Sequence, residues 1–164
     1  MSFERITESN SNYDDLELKS SIELLKIINK EDQSVAFSVQ KELGNINNLI
    51  LKVIEQISNG GRIFYIGSGT SGRLGVVDAS ECPPTFGVES TLFNGIIAGG
   101  DNAIRKSIEN AEDEPMKGWK DLLDFNINKN DFVIGIAASG TTPYVIGAIN
   151  NCFKKNIPSG CITC

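Results

Sequence analysis

From Arg62 onward the chain repeats a local pattern that strongly restricts its fold: a short apolar run, a glycine- and hydroxyl-rich turn, and a helical stretch. The run 62–66 leads into Gly67–Gly72, which reads Gly-Ser-Gly-Thr-Ser-Gly. The run 132–136 is followed by Ser139–Thr142, which reads Ser-Gly-Thr-Thr. Strands separated by helices of ten or more residues predict a parallel sheet with right-handed crossovers. We therefore predict a doubly wound α/β fold with helices on both faces of the sheet.

The pattern predicts individual elements along the whole chain. Strands are expected at 62–66, 91–98 and 131–137 and from Cys161 onward, and helices at 72–82, 101–108, 115–125 and 143–155. Pro83-Pro84 is predicted to end the first of these helices. Before Arg62 the apolar spacing instead predicts three helices, which begin at Ser20, Glu31 and Ile46. We divide the chain into an N-terminal helical segment, 1–60, and an α/β domain, 61–164.

The first glycine turn matches the dinucleotide fingerprint G-x-G-x-x-G. That fingerprint also requires an acid at the end of the next strand, about twenty residues further on. Glu89 has about this spacing, but it precedes the predicted strand 91–98, and Ala98-Gly99-Gly100 offers no carboxylate. The sequence therefore argues against a nicotinamide or flavin cofactor.

The same turn also approaches a P-loop, which needs Lys followed by Ser or Thr after its last glycine. Arg73-Leu74 stand there instead, which argues against nucleoside triphosphate hydrolysis. A phosphosugar site fits better, because hydroxyls and helix N–H groups can hold a phosphate. Helix capping would need one hydroxyl for each helix, and each turn offers three. The predicted ligand-binding residues are Ser68, Gly69, Thr70, Ser71, Ser139, Gly140, Thr141 and Thr142.

Composition narrows the partners and the location. The net charge of −6 and the pI near 4.7 argue against nucleic acid as a partner. The sequence has no apolar run long enough to span a membrane and no signal-peptide core at its N-terminus. We therefore expect a cytoplasmic protein with no membrane association. The chain has no histidine, so carboxylates are the natural carriers of protons.

Four cysteines do not indicate a metal site. Cys161 and Cys164 form a C-x-x-C pair, but a structural zinc site needs four ligands and histidine is absent. We interpret the pair as two thiols in a buried strand and predict no metal.

Glu81 is a candidate acid. Only Cys82 separates it from Pro83-Pro84, so it is predicted to lie at the C-terminal end of a helix, where the macrodipole disfavours negative charge. Together with burial, this position would raise the pKa of Glu81 and suit it to proton donation. The alternative is an exposed glutamate on a fraying helix end. The residues alone favour neither interpretation.

Several segments resemble the N-acetylmuramic acid 6-phosphate etherase family, of the sugar isomerase (SIS) domain class. In order along the chain these segments are Gly67–Gly75, Asp78–Gly87, Ile97–Gly100, Ala111–Asp113 and Gly135–Gly140. The match extends over nearly the whole chain, and Glu-Cys-Pro-Pro-Thr-Phe-Gly is its most specific part. The resemblance implies a SIS-type sheet and a homodimer with sites near the subunit interface.

The resemblance also implies the chemistry. Such enzymes remove D-lactate from N-acetylmuramic acid 6-phosphate and leave N-acetylglucosamine 6-phosphate, in cell-wall amino-sugar recycling. Glu81 corresponds to the proton donor and Glu112 to a second active-site acid, here the candidate base at C2. No cofactor is implied. A sugar-phosphate aldose–ketose isomerase and a non-catalytic SIS sugar-phosphate sensor are the alternatives; the sensor would not need both acids.

Two departures from the family affect these expectations. Family members commonly carry Arg where this chain has Thr141, so an anion contact there is expected to be weaker or supplied elsewhere. Family chains are also much longer, and this chain stops in its last predicted strand. We therefore expect a fragment that lacks the rest of the sheet and a helical C-terminal part.

Overall fold

The computed structural model describes residue 7 and residues 9–164. These described residues form two compact units, one within Glu8–Lys52 and one that contains Val53–Cys164. The division into 1–60 and 61–164 remains a prediction. No helix among the described residues is both long and apolar enough to cross a membrane.

Two helices, α1 (Ser21–Lys41) and α2 (Leu43–Ser58), occupy most of the chain before the sheet. Helix α1 begins with a capping box, in which the Ser20 N–H donates to the Glu23 carboxylate over 2.8 Å. The Ser20 hydroxyl and N–H together lower the pKa of Glu23. The predicted break before Glu31 is wrong, because this region contains neither glycine nor proline and α1 continues through it.

The sheet has four parallel strands in the order β2-β1-β3-β4, which confirms the predicted α/β fold. The strands are β1 (Ile63–Gly67), β2 (Phe93–Ile97), β3 (Phe132–Ile136) and β4 (Ser159–Ile162). Each begins or ends within two residues of its predicted bound. In register, Gly67 lies opposite Ile97 on one side and Ile136 on the other.

Four helices accompany the strands: α3 (Gly69–Phe86), α4 (Asn102–Arg105), α5 (Lys117–Asp124) and α6 (Pro143–Lys154). These helices cover both faces of the sheet, as the contacts of alternate residues of β1 show. Phe64 and Ile66 belong to one buried cluster with residues of α5 and α6. Tyr65 points to the opposite face, where it packs against α3: a Cβ added to Gly75 of α3 would lie 2.7 Å from the Tyr65 Cβ.

Helix α3 is longer than the sequence predicts. Pro83 and Pro84 lie inside it, and it ends only at Phe86, with Gly87 in the left-handed conformation at φ 67°. The Gly87 N–H donates to the Pro83 carbonyl over 2.9 Å. Proline removes one helical donor but holds a helical φ, so the glycine rather than the proline pair ends the helix.

Strand β4 is not buried as predicted. Its residues Cys161 and Ile162 are exposed, as is Cys164 just beyond it. Among the described residues β4 pairs only with β3 and is the last strand in the order of the sheet.

A buried carboxylate joins the amino ends of β1 and β3. Asp131, only 1% exposed, accepts hydrogen bonds from the Arg62 N–H, Nε and Nη2 at 2.9, 3.1 and 2.9 Å. The Asn128 N–H and side-chain amide also donate to it, over 2.9 and 3.1 Å. The pairing of these two central strands is therefore fixed at the edge of the sheet opposite the glycine turns.

Candidate functional site

Both hydroxyl-rich turns lie at the carboxyl ends of the two central strands. Strands β1 and β3 are neighbours, and the helices that follow them, α3 and α6, pack on opposite faces of the sheet. This arrangement is a topological switch point, where parallel α/β sheets open a crevice for ligands. The fold therefore brings the two predicted binding turns to the same edge.

The first turn is built by close glycine packing. A Cβ on Gly72 would lie 2.6 Å from Ile97 Cγ1 and 2.8 Å from the Gly67 carbonyl oxygen, which is closer than side chains pack. The Gly72 N–H donates to the Ser68 carbonyl over 3.0 Å. No side chain caps α3, so its first-turn N–H groups keep their donor capacity. The observed turn does not use its hydroxyls as helix caps.

A carboxylate meets this turn. The Ser68 hydroxyl donates to the Glu112 carboxylate, which comes from the irregular segment between α4 and α5. Gly69, in the left-handed conformation at φ 53°, lies beside Ser68 in the same cleft. Thr70 is exposed and Ser71 half-buried, and neither lines that cleft. The turn therefore combines anion donors with one acid that can accept a proton.

The second turn bonds mainly to itself. The hydroxyls of Ser139 and Thr141 are 2.9 Å apart, and the Thr141 N–H donates to the Ser139 hydroxyl over 3.2 Å. Gly140 has φ 66°, and Thr142 precedes α6 without capping it. All four residues are half-buried, but none lines the cleft that contains Glu112.

Backbone contacts connect the second turn to Glu112. The N–H of Tyr144, two residues beyond Thr142, donates to the Glu112 carbonyl over 3.0 Å. The fully buried phenol of Tyr144 donates to Asp121 over 2.7 Å, and burial together with this bond raises the pKa of Tyr144. A Cβ on Gly147 would lie 1.6 Å from the Pro115 carbonyl oxygen. The segment that carries Glu112 is therefore packed tightly against α6.

A cleft of ≈ 180 Å³ opens beside the first turn. One wall contains Ser68, Gly69 and Arg73 from the start of α3, and the other contains Ser107–Glu112. The sequence interpretation missed Arg73 and the residues Ser107, Glu109 and Asn110. Arg73 had a readable signal, because it follows Gly69 by four residues and so lies on the same face of α3. The segment 107–110 has no periodic pattern that could have identified it.

Glu81 lies away from this cleft. It is exposed, and thirteen residues of helix separate it from Ser68, which corresponds to about 20 Å along the axis. It also precedes the true end of α3 by more than one turn, so the predicted terminal position is wrong. Within a single chain, Glu81 and Glu112 therefore do not lie in the same cleft.

A parallel sheet with hydroxyl-rich turns at its switch point is consistent with a SIS-type domain, and comparison with protein families shows that class. The family model described as "Glucokinase regulatory protein N-terminal SIS domain" matches residues 45–153. The chain belongs to this family of SIS domains.

Within it, the chain is similar to proteins named N-acetylmuramic acid 6-phosphate etherase. It is 58% identical over 162 residues to the protein of Bacteroides fragilis strain YCH46, with 99% of this chain and 58% of the relative covered. For Christiangramia forsetii the identity is 56%, with 96% and 58% covered. The chain thus spans less than two thirds of the length of these relatives.

Solved structures share the fold at low identity. A phosphoheptose isomerase from Neisseria gonorrhoeae superposes with a TM-score of 0.65 and 19% identity, covering 88% of this chain and 75% of its own. One from Francisella tularensis gives a TM-score of 0.54 at 19% identity, covering 83% and 74%. These similarities support the SIS fold.

Proposed function

We propose that this chain is part of a carbon–oxygen lyase that cleaves the D-lactyl ether of N-acetylmuramic acid 6-phosphate. The products are N-acetylglucosamine 6-phosphate and D-lactate, as in recycling of cell-wall amino sugars. The observation that carries the proposal is the Glu112 carboxylate, which lies at a hydroxyl-rich turn where parallel α/β folds bind phosphates. The names of the 58% identical relatives support the same reaction.

The proposed reaction needs one base and one acid. Opening of the sugar ring places an aldehyde next to C2, which makes the C2 proton acidic. Glu112 takes that proton, the C3–O bond breaks, and a second acid protonates the departing lactate oxygen. Water then adds at C3 of the unsaturated aldehyde and a proton returns to C2. No electrons are transferred to a cofactor.

We assign the acid role to Glu81, supplied by a second copy of the chain. The axial distance of about 20 Å between Glu81 and Ser68 is too long for both acids to act in one chain. A homodimer can bring Glu81, in the C-terminal third of one α3, to the first turn of its partner. Exposed apolar side chains on α1, including Leu25, Ile28 and Phe37, support association between copies.

Complementation between two inactive variants tests the dimer. Glu81→Gln and Glu112→Gln are each expected to abolish lactate release. When the two are refolded together, half of the dimers are mixed and each mixed dimer keeps one intact site, so activity should return to about a quarter of the parent level. If activity does not return, the acids do not act across an interface. Glu89→Gln, on an exposed acid just beyond α3, is the charge-matched control and should remain active.

Product analysis tests the reaction itself. The whole natural protein should release lactate from N-acetylmuramic acid 6-phosphate, detected with a lactate dehydrogenase assay. Isomerised sugar without lactate would replace the proposal with an aldose–ketose isomerase. Binding with no turnover would indicate a sugar-phosphate sensor. Glu81→Gln should retain sugar-phosphate binding, because the proposed phosphate-binding turn lies at the start of α3, thirteen residues before Glu81.

Two further assignments belong to the same proposal. We place the enzyme in the cytoplasm, where its phosphorylated substrate would be formed. We also propose that residues 1–60 form a helical segment separate in role from the catalytic domain 61–164.

A further inference from the structure

A single arginine lies in the cleft beside the candidate base. Arg73 is half-buried on the first turns of α3 and lines the cleft together with Ser68 and Glu112. It is the one basic side chain among the described residues that line this cleft. Its role is not explained by the lyase chemistry, which needs only an acid and a base.

The guanidinium is held by neutral groups. Nε donates to the Ile104 carbonyl over 2.9 Å, and Nη2 donates to the Ala103 carbonyl over 2.8 Å. These carbonyls belong to the short helix α4, so they fix the plane of the guanidinium. Two of its five N–H bonds are used in this way, and the structure gives the other three no partner within the described part of the chain.

The charge of Arg73 is not neutralised within the described residues. No carboxylate there forms an ion pair with it, although Glu109 and Glu112 line the same cleft. A half-buried cation is costly unless an anion pairs with it. An oriented guanidinium with free donors presents a fork that matches a planar carboxylate.

We propose that Arg73 binds the carboxylate of the lactyl group and so selects the ether substrate over sugar phosphates that lack it. The inference rests on the proposed function, because the ether substrate carries both a phosphate and a carboxylate, whereas its sugar product carries only the phosphate. The phosphate already has donors in the N–H groups at the start of α3, which no described side chain caps. The lactyl carboxylate, attached through C3, needs a separate cation, and Arg73 lies about one helical turn beyond Gly69 of the first turn.

The experiment compares the affinities of two sugars that differ only in the lactyl group. In the whole natural protein carrying Glu81→Gln to prevent turnover, calorimetry would measure binding of N-acetylmuramic acid 6-phosphate and N-acetylglucosamine 6-phosphate. Adding Arg73→Gln should weaken the first by about 10- to 100-fold and change the second by less than about twofold. Arg73→Lys should give an intermediate loss, because lysine keeps the charge but not the fork.

Each other result overturns the inference. Equal weakening for both sugars would make Arg73 a phosphate ligand. Unchanged affinity for both sugars would mean that Arg73 only connects α3 to α4 through its hydrogen bonds and does not bind the ligand. If Arg73→Gln does not fold, the same contact can be tested with a substrate analogue whose lactyl carboxylate is replaced by an amide. Arg73→Lys should then reduce the preference of the protein for the acid over the amide. An unchanged preference overturns the inference. These readouts measure binding, so failure of the lyase reaction would be seen separately as absence of lactate.

Discussion

The two hydroxyl-rich turns look alike in sequence but differ in what their hydroxyls bind. In the first turn the Ser68 hydroxyl leaves its own segment and donates to Glu112, forty-four residues away. In the second turn Ser139 and Thr141 bond to each other. The first turn therefore carries an external acid, whereas the second forms a closed local structure.

The turns also differ in why they need glycine. Gly72 of the first turn is required by space, since Ile97 and the Gly67 carbonyl oxygen occupy the position of any side chain. Gly140 of the second turn is required by its backbone angle of φ 66°, while its surroundings are open, with Thr163 Cγ2 at 3.6 Å. Similar sequence patterns thus build two different turns. The first is crowded and its hydroxyl contacts an acid, whereas the second is uncrowded and its hydroxyls contact no acid among the described residues.

The largest expected effect tests whether the first turn is the reactive one. Glu112→Gln should lower kcat by about 10³-fold, because it removes the proposed base. It should leave the melting temperature nearly unchanged, since the side chain is exposed. Asp113→Asn makes the same charge change one residue away, outside the cleft lining, and should keep near-parent activity. Equal losses in both variants would contradict a specific role for Glu112.

An intermediate effect tests the two glycine requirements. Gly72→Ala should destabilise the protein by about 3 kcal/mol, because the added methyl overlaps Ile97 and backbone. Gly140→Ala should cost only about 1 kcal/mol, the strain of a left-handed alanine in open space. Urea unfolding measures both. If the second variant loses more stability than the first, crowding is not what distinguishes the turns.

The smallest effect concerns the hydroxyls themselves. Ser68→Ala should lower kcat by about tenfold, because Glu112 loses the donor that orients its carboxylate. Ser139→Ala should lower it by less than about threefold, since its hydroxyl is bound inside its own turn. Steady-state kinetics of the two variants provide the comparison. Comparable kcat losses would show that both turns orient the reacting groups.

The elements of the sheet could be predicted because they depend on local patterns. Apolar runs located all four strands, and the glycine turns located the starts of α3 and α6. Helix ends were less predictable, since Pro83-Pro84 can remain helical when the backbone around them is held, and Gly87 supplied the actual end. The exposure of Cys161 could not be read locally, because the apolar pattern of a strand does not show what packs against it.

The site was only partly predictable for a related reason. The turn residues follow directly from the strand–turn–helix pattern. The contact between Ser68 and Glu112 depends on the path of an irregular segment that no period describes, so only the family resemblance pointed to Glu112. Arg73 could have been found from its four-residue spacing to Gly69, but its neutral partners in α4 could not.

The buried Asp131 has a consequence for engineering. Arg62 and Asn128 both bind Asp131 and so hold the two central strands in register at their amino ends. The loops at the carboxyl ends of these strands are therefore not needed to set the register. A library that varies Thr141, Thr142 and the segment 107–110 should therefore yield mostly folded members. The sheet can in this sense stay unchanged while these loops, and with them the proposed preference for one sugar phosphate, are varied.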